Sequence, residues 1–396
     1  MPLAFAPAQP AAAPPRYHLI TQVEPKHNHG SCVVECPDGR LLACWYRGSG
    51  ERTADDVVIM GARFSPSTSK WSAPFVMADT RGFPDCNPCM TITQDKRLLL
   101  FWPTIIDNQW ESALLNQWDA SRYMQRSGSP VFNMRAIVLL KPDEAFGAQV
   151  KAALPGVWEP YRATAKPDDR AKLDAYLADV REKADRKLSV RLGWMPRAHP
   201  TTLGSGRIIL PLYSDGFDFS MMALSDDQGR SWSCSRPIVG AGAVQPSVVE
   251  RRDGPLTAYF RDNGPPPQRV MAAESADQGV TWTTPRDIDV PDPGAGLEAI
   301  RLASGRWILV NNDTESGRHR LAVHLSEDEG RTWRLARYLE RDEPGPAAGS
   351  YGYPSIIQAR NGTLHATYRF GPASGGSAIK HAVFSEAWLL EGAATP

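Results

Sequence analysis

Three short segments of the chain are near copies of one another: SDDQGRSW (Ser225–Trp232), SADQGVTW (Ser275–Trp282) and SEDEGRTW (Ser326–Trp333). They share the form S-x-D-x-G-x-[ST]-W and recur at intervals of about 50 residues. A fixed period of this length confines the fold to a stack or ring of equal units, because one unit cannot bury its apolar face alone. A worn copy, SPSTSKW (Ser65–Trp71), keeps the serine and the tryptophan. In such a segment the Asp carboxylate caps backbone N–H groups, Gly takes a positive φ, and Trp packs beneath the turn. These aspartates are therefore read as turn builders and not as catalysts.

A second repeat is a strand, a tight turn and another strand: CVVECPDGRLLACWY, CMTITQDKRLLLFWP, TTLGSGRIILPLYSD, SVVERRDGPLTAYFRD, AIRLASGRWILVNND and SIIQARNGTLHATYRF. The turns fall at Gly39, Lys96, Gly206, Gly254, Gly305 and Gly362. The interval from Lys96 to Gly206 is about twice the others and holds an insertion, about residues 141–190. Within it, Pro167–Lys187 carries Leu173, Tyr176, Leu177 and Val180 at the period of an amphipathic helix. Six such units predict an all-β fold, a six-bladed β-propeller forming one domain over residues 17–396. The helical insertion falls in blade two, as a lid, a rim wall or a dimer contact. The 32 Gly and 34 Pro suit a turn-rich β chain.

Bulk charge narrows the partners. The 44 basic and 44 acidic residues cancel, so no basic stripe points to nucleic acid. No apolar run reaches the roughly 18 residues that a membrane span needs. Residues 1–16 are an Ala/Pro-rich linker without the basic and apolar regions of an intact signal peptide. Linkers of this kind often follow a signal peptide, which predicts a periplasmic or secreted protein, with a cytoplasmic one left open. Of the six cysteines, Cys86 and Cys89 form a CxxC that no second CxxC or HxxxH completes. Buried free thiols are expected, with no metal site and no cofactor; no EF-hand spacing calls for calcium.

In a propeller the first strand of each blade lines the central channel. Just ahead of the six first strands stand His29, Asn87, His199, Gln245, Glu298 and Tyr353. Four of them precede proline, which predicts extended, rigid backbone aiming each side chain at the axis. The second strands return to the same face and end at Arg47, Trp102, Tyr213 with Asp215, Arg261 with Asp262, Asn311 to Asp313, and Arg369. One rim thus gathers His, Asn, Gln, Glu, Tyr and several Arg, a composition suited to a polar, anionic ligand.

The repeated Asp-boxes and the six hairpins resemble the sialidase (neuraminidase) superfamily, in particular its bacterial BNR-repeat, sialidase-like members. The resemblance implies a substrate carboxylate held by arginines. LTAYFRDN matches the segment carrying the second of these, Arg261, and ESGRHRLAVHLSEDEG the segment carrying the third, Arg318. It also implies Tyr353 as nucleophile, and as acid/base an aspartate in RGSGERTADDVVI, Asp55 or Asp56. Two positions depart: His29 stands where the first arginine belongs, and Gln245 where a glutamate assists the tyrosine. Gln cannot take a proton from a phenol; His29 or His199 is the substitute base.

The leading expectation is an exo-acting glycoside hydrolase on a terminal acidic sugar of an oligo- or polysaccharide. Arg261 and Arg318 would clamp the acid, with Arg47, Asn87, Tyr213, Asp215 and Glu298 as further substrate contacts. Two alternatives stay open: a polysaccharide lyase using His and Tyr on a uronate, and a non-catalytic glycan-binding propeller. A monomer or a homodimer fits either.

Overall fold

The computed structural model describes residues 12–392; the first eleven residues of the Ala/Pro-rich stretch lie outside it. The described chain folds into six antiparallel sheets of four or five strands, each built mainly from consecutive strands. The inner strands pack on their counterparts in neighbouring blades around a common channel. They begin, blade by blade, at His27, Cys89, Thr201, Ala243, Glu298 and Ser350. All six hairpin turns take the left-handed backbone the sequence demands, including Lys96 at φ 61°, where a glycine would be easier.

The ring closes through its ends. Strand Arg16–Leu19 pairs antiparallel with Ala378–Phe384, so blade six takes its outermost strand from the N-terminal end of the described chain. The three Asp-boxes pin each blade to the one before it. Ser231 N and Oγ donate to the two Asp227 oxygens, and the other boxes repeat the pattern through Asp277 and Asp328. Trp232 Nε1 then reaches back to Gln117 of blade two at 2.8 Å. Only glycine fits at Gly330: φ is 81°, and an added Cβ would lie 2.0 Å from the Tyr259 hydroxyl of the preceding blade. All six cysteines are free, and all but Cys234 are buried.

The insertion lies between the last strand of blade two, Met134–Ile137, and the first of blade three, Met195–Pro196. It holds α1 (Phe146–Thr164), α2 (Pro167–Asp185) and the short α3 (Lys187–Arg191). Helix α2 begins at the expected proline. Phe146, Val150 and Leu154 of α1 and Leu177 and Val180 of α2 are buried in one core with blades two and three. Tyr176 of α2 donates to the Phe217 carbonyl at 3.0 Å, which fixes the insertion against the rim. Among the described residues no helix is long and apolar enough to cross a membrane.

Candidate active site

Three inner strands carry a bulge at the same level. The ladder slips between His29 and Cys32, between Val244 and Ser247, and between Gly352 and Ser355. Gln245 and Tyr353 take φ of 53° there, and Asn87, at the matching place in blade two, takes 41°. At these three positions the expectation of extended backbone before proline is corrected, while His199, before Pro200, does not take a positive φ. The following Pro88, Pro246 and Pro354 have no N–H to lose, so the bulge costs the ladder little, and the left-handed turn swings the preceding side chain into the channel. Such conformations cost about 1–3 kcal/mol each and concentrate at functional sites.

These side chains meet in a cavity of about 410 Å³. Tyr46, Glu51, Asn87, Tyr213, Asp215, Gln245, Arg261 and Tyr353 line it, with Trp110 from a 3-10 turn of blade two, and Tyr176 of α2 walls it. The insertion is therefore a rim wall. Arg261 Nη1 donates to the Tyr353 hydroxyl at 2.9 Å, and the guanidiniums of Arg318 and Arg197 each lie 5.2 Å from the Tyr353 ring centre. Burial pushes this phenol up, but Arg261 and Arg318 outweigh burial and hold its pKa below the usual tyrosine value. Tyr213 differs. It accepts from Asn87 Nδ2 at 3.1 Å and Gln245 Nε2 at 3.3 Å, while burial and Asp215 keep its hydroxyl protonated. Burial pushes the Asp215 carboxyl up to about 6 against the pull of Arg261. The cavity thus holds a phenol whose pKa arginine charge lowers and a carboxyl whose pKa burial raises.

Several expected residues stand elsewhere. His199 Nδ1 contacts Glu298 Oε1 at 2.7 Å, and Nε2 contacts the Val33 carbonyl at 2.7 Å. A carbonyl can only accept, so Nε2 carries a proton, and Glu298 takes the other. Burial opposes this imidazolium, but Cys32 and Glu298 raise its pKa well above the ordinary value. His199 is no free base. With Glu298, which also accepts from Ile356 N, it ties blades three, five, one and six together across the channel. Breaking such a buried pair costs about 3–5 kcal/mol, so it acts as a structural rivet. Both line a separate cavity of about 570 Å³ toward the turn end.

Asp55 and Asp56 also miss the cavity. Asp56 is held by Ser49 and Lys26, and Asp55 accepts from Asn108. Arg47 forms a bidentate pair with Glu24 (2.6 and 2.5 Å) away from the site. The acid that this loop sends to the cavity is Glu51, which accepts from the Tyr46 hydroxyl at 2.8 Å. His29 packs its ring 4.0 Å from that of Tyr353. Sequence reasoning also missed Arg197, buried with Nε and Nη1 unpartnered among the described residues. It stands two residues before His199, so strand alternation was the available signal.

Comparison with known proteins relates the fold to others. A family model described as a BNR repeat-like domain matches residues 184–366. An exo-alpha-sialidase of Aspergillus fumigatus is 27% identical over 173 residues, 41% of this chain and 41% of that protein. An anhydrosialidase of the leech Macrobdella decora is 23% identical over 184 residues, 41% of this chain and 23% of that protein. The chain therefore matches well under half the length of both relatives. Among solved structures, the NanB sialidase of Streptococcus pneumoniae superposes with a TM-score of 0.67 at 12% identity, over 94% of this chain and 71% of that one. An alpha-L-arabinanase of Penicillium chrysogenum, complexed with arabinobiose, gives 0.56 at 13% identity, over 92% and 94%. At these identities the structural likeness is one of fold.

Proposed function

We propose that this chain, similar over residues 184–366 to a BNR repeat-like domain and similar in fold to glycosidase propellers, is an exo-acting glycoside hydrolase removing a terminal acidic sugar. The observation that carries the reading is the 2.9 Å contact from Arg261 to the Tyr353 hydroxyl inside a polar cavity. A phenolate needs either a base to take its proton or positive charge to hold it. Gln245 rules out the first at its position, and the guanidiniums around Tyr353 supply the second.

Tyr353, its proton lost to cavity water, attacks the anomeric carbon. A neutral or arginine-paired phenol is repelled less by a carboxylated sugar than a carboxylate nucleophile is. Asp215, whose carboxyl burial raises to about 6 and so keeps protonated below that pH, gives its proton to the departing glycosidic oxygen. Water then attacks the anomeric carbon, the bond to Tyr353 breaks to return its phenolate, and Asp215 takes the proton of the attacking water. Arg261 and Arg318 face the acidic group of the sugar. Both ring nitrogens of His199 are committed, so the base of a lyase at this cavity would have to be His29 and not His199.

The test is trapping with a panel of fluorinated acidic and neutral glycosides. A covalent adduct is expected on a peptide containing Tyr353, and Tyr353→Phe is expected to lose both adduct and turnover. An adduct on another residue, or undiminished turnover in Tyr353→Phe, would overturn the assignment.

A further inference from the structure

His27 and His29 lie two apart on one strand, so both imidazoles project from the same face of the sheet. Their rings stack at 4.8 Å and 25°. Glu51 comes from the loop beyond the second strand and closes the third side: its Oε1 is 3.6 Å from His27 Nδ1 and 4.0 Å from His29 Nε2. Ligand-capable atoms of all three residues lie within 4.8 Å of one another. A tetrahedral ion with bonds of 2.0–2.1 Å has ligand-to-ligand edges of about 3.3 Å, so rotations of a few tenths of an ångström to about an ångström bring the three atoms onto one centre.

We propose that His27, His29 and Glu51 form a binding site for one divalent transition-metal cation at the mouth of the Tyr353 cavity. Three observations favour an ion over simple packing. First, the buried His29 leaves Nδ1 without a partner, and its Nε2 stops at 4.0 Å from Glu51, beyond hydrogen-bond reach. An ion on Nε2 would give that nitrogen's lone pair a partner, with the ring proton on Nδ1. Second, Glu51 is already oriented by the Tyr46 hydroxyl, as outer-sphere partners orient metal-bound carboxylates, while Oε2 makes no hydrogen bond among the described residues. Third, two imidazoles and one carboxylate are the donor set that suits zinc and its neighbours, with a coordination position left open.

The location gives the ion a role. His29 touches Tyr353 and occupies the blade-one position where the superfamily pattern calls for an arginine. A divalent ion balanced by one carboxylate leaves one net positive charge there, the charge a guanidinium would bring. The bound metal would thus complete a positively charged ring with Arg261 and Arg318 around an anionic ligand. The sequence hides the site because strand-borne His-x-His matches none of the helical or CxxC spacings, and its third ligand lies more than twenty residues on.

The experiment is calorimetric titration of chelator-stripped protein with Zn²⁺ alone, alongside visible spectroscopy of the Co²⁺ form. One equivalent is expected to bind in the micromolar range or tighter, with Co²⁺ bands of a nitrogen–oxygen site. His27→Ala and Glu51→Gln are each expected to weaken binding by about tenfold or more. Both positions are partly exposed, so the fold tolerates their change better than that of buried His29, and matched thermal melts verify it. No stoichiometric binding, equal binding in both variants, or Co²⁺ thiolate charge-transfer bands from the free cysteines would overturn the proposal. The readout is binding, so it stands or falls independently of the hydrolase reading.

Discussion

Asp215 and Tyr353 face the same cavity, yet their surroundings drive them in opposite directions: burial dominates at Asp215 and arginine charge at Tyr353. Two groups pushed apart in this way are the usual mark of an acid and a nucleophile. If Asp215 is the proton donor, activity falls as pH rises through about 6, where its carboxyl ionises. Asp215→Asn is expected to lower kcat by about 10²–10⁴-fold and to erase that alkaline limb. A pH–rate profile on an activated aryl glycoside checks both, and a limb that survives the substitution belongs to another group. At this scale the sequence was partly readable. Tyr353, Gln245, Arg261, Asn87, Tyr213 and Asp215 meet because each stands at a strand end on one rim, which period-two reasoning reaches. Asp55 and Asp56 went astray because a loop has no period. Only the folded turn shows that Glu51 points in while its neighbours bind Ser49, Lys26 and Asn108.

Among the elements, α2 was legible from its apolar spacing and its proline start, whereas α1 was not. Its sequence carries Pro155 and Pro160 inside the helix, residues that argue for a break; burial of Phe146, Val150, Leu154 and Trp158 against α2 and the blades outweighs them. The bulges of the inner strands were hidden too, since a proline signals lost hydrogen bonding without saying that φ turns positive before it. Blade six adds a pH-sensitive seam. Trp71 Nε1 donates to His381 Nδ1 at 3.1 Å, so His381 Nε2 bears the proton and donates to His365 Nδ1 at 3.0 Å, and His18 stacks on His381. Burial, then Arg16 and His18, push His365 down to about 4, and His381 falls well below its ordinary value. Both rings are neutral in the fold but protonate near 6.5 when unfolded, so their contribution is full above about 6.5 and is lost as pH falls toward 4. Asp215, Asp262 and Asp292, raised to about 6, 6 and 7 mainly by burial, titrate in the same window with the opposite sign. The measurement is therefore a difference. His365→Leu is expected to be less stable than wild type at pH 7.5, with the gap in Tm narrowing at pH 5. A gap that stays constant or widens would assign the seam no titrating role.

For the whole molecule, the period of about 50 residues announced the ring, but nothing local announced how it closes. Strand Arg16–Leu19 is four residues long, and its partner lies some 360 positions away, a pairing no local pattern reveals. Its contribution is nonetheless readable in contacts. The strand pairs at four positions with Ala378–Phe384, Ile20 N donates to the Ile379 carbonyl at 2.8 Å, and Tyr17 donates to the Leu339 carbonyl at 3.2 Å. At about 0.5–1.5 kcal/mol for each hydrogen bond, the closure supplies roughly 3–5 kcal/mol. Deleting residues 1–20 removes it and bares the edge of Ala378–Phe384. With the unfolding entropy typical per residue, that loss lowers Tm by roughly 4–6 °C. The exposed edge is expected to bring self-association as well. Because Tyr353 sits on the innermost strand of that same blade, turnover is expected to fall at temperatures below the new transition, where the ring loosens before it unfolds. Calorimetry, size-exclusion chromatography and activity against temperature test the three consequences together. A truncated protein that melts within about 1 °C of the full chain and keeps its activity would mean that the ring is held shut by its inter-blade cores and not by its seam.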